Sequence, residues 1–114
     1  MTFKKLFLMA MGVSAWSTDI TGTWMLKGSG IDGAKLRLSQ SGERLTGEWI
    51  TGSGETPLAG MVQTDSVEFR FPLERAGGPV EAWFEGTIEG QNSMEGTFRM
   101  GPSRPVSWKA KRCK

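Results

Sequence analysis

Histidine and tyrosine are missing from this 114-residue chain, and cysteine occurs once. Without histidine, and with Cys113 as the only thiol, no zinc or copper ligand set can be assembled. Nucleophile–histidine catalysis is excluded for the same reason. A lone cysteine forms no internal disulfide, so Cys113 is a free thiol or an intermolecular link, and the core must hold the fold unaided. Sustained helical periodicity is also lacking throughout. Charge of either sign is scarcely in excess, with a formal net charge of +2.

Even that small excess belongs partly to the first residues. Lys4 and Lys5 precede an apolar run from Leu6 to Ala15, and Ala15-Trp16-Ser17 has the small-x-small form of a cleavage site. The run is too short to span a bilayer, so residues 1–17 read as a cleaved signal peptide, with export to the periplasm or the medium and no stable membrane insertion. Removing them takes away two lysines and no acid, which leaves 12 basic and 12 acidic residues in 18–114. Basic character then concentrates at Lys109, Lys111, Arg112 and Lys114. A nucleic-acid binder is expected to carry a broader basic face, so that class is set aside.

What the chain does have is glycine, 16 in all, and a short phrase used four times within strand-like sequence: an apolar residue, any residue, glycine, then more alternating residues. The copies are Leu45-Thr46-Gly47, Leu58-Ala59-Gly60, Phe84-Glu85-Gly86 and Met94-Glu95-Gly96. Each lies in a segment that alternates apolar and polar residues, the mark of a half-buried strand. Eight such segments follow one another: Gly22 to Lys27, Ala34 to Gln40, Glu43 to Thr51, Glu55 to Gln63, Val67 to Leu73, Val80 to Glu89, Met94 to Met100 and Val106 to Arg112. Short links rich in Gly, Ser, Asp and Pro separate them, the longest running from Glu74 to Pro79.

One face of these strands gathers Trp24, Leu36, Leu45, Trp49, Leu58, Phe69, Phe71, Phe84, Phe98, Trp108 and their apolar neighbours. The other gathers charged residues such as Lys35, Glu48, Arg70 and Lys109. A one-residue slip would exchange the faces, so the pattern fixes the register. The expected fold is all-β, a single eight-stranded antiparallel up-and-down barrel over residues 18–114. The four phrase glycines fall on the inward face, where they are expected to make room for Trp24, Trp49, Phe84 and Trp108.

Two other patterns carry no chemistry. Gly28-Ser29-Gly30-Ile31-Asp32-Gly33 fits Gly-x-Gly-x-x-Gly, but a strand rather than a helix follows, so it reads as a flexible hairpin loop. Glu81, Glu85 and Glu89 would align on a helix; on a strand they stand too far apart for a joint acid–base pair. No acid, base and nucleophile converge, so the chain reads as a non-enzyme that requires no cofactor and no metal.

Thr21-Gly22-Thr23-Trp24 at the first strand and Arg112 in the last resemble the calycin superfamily, which includes lipocalins and avidins. That resemblance implies that Trp24 closes one end of the barrel with Arg112 packed across it. Together with Leu45-Thr46-Gly47-Glu48-Trp49, the opening is similar to avidins in particular and puts Trp49 at a ligand-contacting place. The chain departs from avidins in having no tyrosine, and its last strand carries Lys109 and Lys111 but no acid. A buried urea head would therefore lose its hydrogen-bonding partners, which disfavours biotin.

The expected role is that of an exported binding barrel for a small apolar molecule, with Trp49, Phe69, Phe71, Phe84, Phe98 and Trp108 lining a shallow interior pocket. The other class is a protein-interaction module such as a periplasmic inhibitor, presenting the Glu74 to Pro79 loop and the basic end to an envelope partner. Inward aromatics are in general core before they are ligand contacts, so a filled interior would favour this second class.

Overall fold

Alternation at period two becomes eight strands in the computed structural model, which describes residues 18–74 and 76–113. The expected signal segment, 1–17, lies outside the described residues. The strands are β1 (Gly22–Gly28), β2 (Lys35–Ser41), β3 (Arg44–Thr51), β4 (Gly54–Gln63), β5 (Ser66–Leu73), β6 (Val80–Glu89), β7 (Ser93–Met100) and β8 (Val106–Arg112). Each pairs antiparallel with the next, and β8 returns to β1, which closes the barrel. Closure runs along five residue pairs, from Trp24 opposite Arg112 to Gly28 opposite Trp108. The expected up-and-down barrel is thus the observed fold. Closure also removes the exposed strand edge through which open sheets aggregate.

Antiparallel order divides the connections between two ends. Residues 29–34, 52–53, 74, 76–79 and 101–105 form an upper rim, while 42–43, 64–65 and 90–92 join residues 18–21 and Cys113 at the lower end. The inward face foreseen from alternation is buried nearly throughout, from Trp24 and Leu26 on β1 to Trp108 and Ala110 on β8. The exceptions lie at the upper rim, where Val106 is 36% exposed and Met100 is half-buried. Among the described residues no polar or charged side chain is buried, so the core is held by apolar contact.

The four phrase glycines do a different job from the one expected of most of them. A Cβ at Gly47 would strike the carbonyl of Arg37, one at Gly60 that of Glu68, and one at Gly96 that of Glu85, each on the neighbouring strand. These three therefore let strand backbones come together where the small barrel coils hardest, rather than clear space for a ring. A Cβ at Gly86 would meet both kinds of neighbour, the Glu95 carbonyl oxygen at 2.5 Å and Cζ2 of Trp108 at 2.8 Å. Gly96 stands between Trp108 and Gly86 in the register, so β8 sends its tryptophan across β7 to β6.

The Gly28–Gly33 segment is a hairpin connection, as expected, but it is pinned rather than flexible. Ile31 N–H donates to Gly28 O at 3.1 Å, Ala34 N–H to Ile31 O at 3.0 Å, and Gly28 N–H to Asp32 Oδ1 at 2.8 Å. Ile31 and Ala34 are buried, and the Ile31 side chain lies against Gly28 on the inward side. An apolar residue at the tip of a polar loop anchors it to the barrel.

Gly96→Ala is expected to cost about 3 kcal/mol, because backbone rather than a side chain must yield. Gly52 has nothing within 4 Å of its Cβ position and no positive φ, so Gly52→Ala should change stability by less than about 1 kcal/mol. Denaturant melts of the two variants check the contrast; equal losses would contradict the backbone account.

Candidate functional site

Strand register brings the six expected interior residues together. Trp49 (β3) stacks on Phe71 (β5) with centroids 4.8 Å apart. Phe84 (β6) stacks on Phe69 (β5) and on Phe98 (β7), each at 4.9 Å. Trp108 (β8) meets Phe84 and Phe69 edge-on at 5.6 and 6.2 Å. Stacked and edge-to-face pairs at these separations contribute about 0.5–1.5 kcal/mol each beyond area burial. All six rings are buried, and Trp108 Nε1 donates to two backbone carbonyls, Thr97 O at 3.0 Å and Glu85 O at 3.2 Å. The rings occupy one another's faces, so the centre of the barrel is packed with its own side chains.

Phe98 also borders the upper rim. It lines an open groove of about 420 Å³ at the upper rim, with Val80, Met100 and Val106 as apolar walls and Ser29, Ser103 and Arg104 at the edge. These residues come from the β1–β2 connection, the ends of β6, β7 and β8, and the β7–β8 connection. Composition of this kind, apolar walls with a few polar groups at one side, suits a small amphiphilic molecule.

The lower end is sealed. The Arg112 guanidinium lies over the Trp24 ring at 4.6 Å and donates to three carbonyls: Nη1 to Thr21 O at 2.7 Å, Nε to Gln91 O at 2.8 Å and Nη2 to Asp19 O at 3.0 Å. Trp24 Nε1 donates to Ile20 O at 3.0 Å, and Ile20 N–H to Gln40 Oε1 at 3.0 Å. Gly22 has φ +141° and lies where a Cβ would be 2.9 Å from Arg112 Nη1. Glycine at that place thus serves both the backbone conformation and the approach of the guanidinium. Asp19 accepts the Thr21 N–H at 3.0 Å. That bond, then the Thr21 hydroxyl, hold the Asp19 carboxyl below the ordinary carboxylate range; burial opposes them, and the charge of Arg112 adds a smaller lowering.

Sequence patterning did not single out Trp83. It points outward on β6, level with Arg70 on β5 and Arg99 on β7. Arg70 lies over the Trp83 ring at 4.0 Å, and Trp83 Nε1 is buried without a hydrogen-bond partner. An aromatic between Glu81 and Glu85 on the charged face was the available signal. Asp19, Gln40 and Gln91 were equally inconspicuous, since their roles depend on backbone contacts across strands.

The chain matches no family model, no curated protein and no solved structure. The closed eight-stranded antiparallel barrel is consistent with a calycin-like architecture, and no relative supports membership in that superfamily.

Arg112→Lys keeps the charge but cannot span three carbonyls with one planar fork, and should lower stability by about 1–2 kcal/mol in chemical denaturation. Because the Asp19 carboxyl titrates lower in the folded chain, its contribution is complete above the unfolded value of about 3.9 and is lost as pH falls through the folded value. Protection of the Thr21 amide, its exchange rate set against that of an unstructured chain at the same pH, should therefore fall as pH drops through that folded value. Asp19→Asn, which retains an acceptor but no charge, should flatten that response; an unchanged pH profile would contradict the assignment.

Proposed function

We propose that the chain is an exported, non-enzymatic binding barrel that takes a small apolar molecule with a polar or anionic head at its upper rim. The observation that carries this is the contrast between a centre packed with stacked aromatics and an open rim groove walled by Val80, Phe98, Met100 and Val106. A ligand entering the centre would have to separate rings in van der Waals contact, whereas the rim groove is already open. Arg104 and the hydroxyls of Ser29 and Ser103 would face the head group, and the apolar walls the tail. On the avidin-like mapping Trp49 would touch ligand; it is stacked on Phe71 instead, which gives the biotin alternative no room at that ring.

The packed interior also favours the second class, an interaction module whose recognition lies wholly on loops. Affinity for an envelope partner that depends on residues 74–79, with no small-molecule binding, would select that class.

Native mass spectrometry and tryptophan fluorescence titration with fatty acids, haem and biotin are the direct test. A medium-chain fatty acid is expected to bind. Val106→Glu should weaken it about tenfold, equivalent to about 1.4 kcal/mol, with an unchanged circular dichroism spectrum. No response to any candidate, or undiminished affinity in the variant, would reject the rim site.

A further inference from the structure

Closure places four lysines around one exposed methionine. On the outer face Met25 of β1 sits opposite Lys35 of β2 on one side and Lys111 of β8 on the other. Two residues along, Lys27 of β1 faces Lys109 of β8. All four lysines are exposed, and Met25 is 39% exposed. The outward positions of β8, β1 and β2 contain no acid: Ser107, Lys109 and Lys111; Thr23, Met25 and Lys27; Lys35, Arg37 and Ser39. Acids nearby are Glu95, opposite Lys109 on β7, and Asp32, which accepts Gly28 N–H in the β1–β2 connection. Among the described residues the ion pairs are those of Arg37 with Glu48 and Glu55, so none involves these lysines. Lys111 Nζ donates to Ser93 Oγ at 2.9 Å.

Like charges directly opposite on a sheet repel, and the Lys27–Lys109 pair is retained without a compensating carboxylate within ion-pair distance. An anionic surface would relieve that repulsion. From this charge complementarity we infer that the β8–β1–β2 face docks on an anionic phospholipid bilayer, with Met25 dipping among the head groups and the lysines reaching phosphates around it. Residue types choose this occupant over others. Protein interfaces favour Arg and aromatic anchors and are depleted in Lys. Single-stranded nucleic acid calls for stacking aromatics. Among the outward residues of these three strands there is no aromatic, and the one arginine is engaged by carboxylates. Lysines ringing an apolar side chain instead match an interfacial contact, in which long aliphatic stems lie along the apolar layer while ammonium groups stay in water. Contact of this kind rests the barrel on the surface without crossing it.

Flotation of the full chain with two vesicle types tests this: phosphatidylcholine alone, and equal parts phosphatidylcholine and phosphatidylglycerol. The readout is the ratio of the two partition coefficients, in which any apolar contribution common to both vesicles cancels. The ratio should fall about fivefold for each of Lys27→Gln and Lys109→Gln. Arg44→Gln, an equal charge change on β3, should alter it less than about twofold. Thermal melts establish that the variants remain folded. A ratio near one for the wild-type chain would overturn the inference, as would equal losses for Arg44→Gln and the lysine variants. Tighter lysine-dependent binding to duplex DNA or to polyglutamate than to the anionic vesicles would overturn it in favour of that occupant. Fatty-acid binding at the rim involves none of these lysines, so either proposal can fail alone.

Discussion

Trp108 is the side chain on which the closed barrel depends. From β8 it passes Gly96 on β7, reaches Gly86 on β6, and hands its indole N–H to the carbonyls of Glu85 and Thr97. A buried indole needs a partner for that N–H, and here the partners are backbone on the two strands it crosses. The cost of an unpaired donor therefore fixes the ring across three strands. Two adjacent glycines are the condition for it: a Cβ at Gly86 would meet the ring, and one at Gly96 the Glu85 carbonyl. Gly60 and Gly47 meet the same backbone constraint further round, so the phrase repeated in sequence records how tightly eight short strands must coil to close.

Once Trp108 is seated, the rest of the interior has little freedom. Its edge meets Phe84 and Phe69, Phe84 stacks on Phe98, and Trp49 stacks on Phe71. Interiors packed to this density resist insertion as well as deletion, since an added group must push rings off their rotamers. On the proposed function, recognition falls to surfaces where packing is incomplete. The rim groove ends where β6, β7 and β8 stop pairing, and the lysine face lies where the first and last strands meet.

Local patterning carried much of this. Alternation placed the eight strands within a residue or two and assigned the inward face; the pairing of Trp24 with Arg112 followed from the calycin resemblance instead. It could not distinguish a glycine that clears a ring from one that clears a carbonyl, because both sit at the same parity and differ only in coil. Ile31 was hidden in a loop whose composition looks solvent-exposed; its burial depends on the turn made by Gly28 and Asp32. Trp83 was hidden by its charged neighbours on the outer face. The cationic face was least legible of all, since Lys27 and Lys35 lie near one end of the chain and Lys109 and Lys111 near the other. A formally neutral domain gives no hint that closure sorts its lysines to one side.

The seam between β1 and β8 combines two demands that pull against each other. Its outer side sets Lys27 against Lys109 and flanks Met25 with Lys35 and Lys111. Its lower end is clamped by Arg112, whose three carbonyl contacts reach the N-terminal segment and the β6–β7 connection. Repulsion on one side of the seam is thus opposed by a multivalent contact at its end and by Trp24, Leu26 and Ala110 beneath it. Closing strands are where an up-and-down barrel pays the largest loop entropy, because the partners are furthest apart in sequence. Spending arginine, tryptophan and glycine at the lower end of that seam allows its outer face to remain cationic, and a surface freed from stabilising the fold is one available for binding.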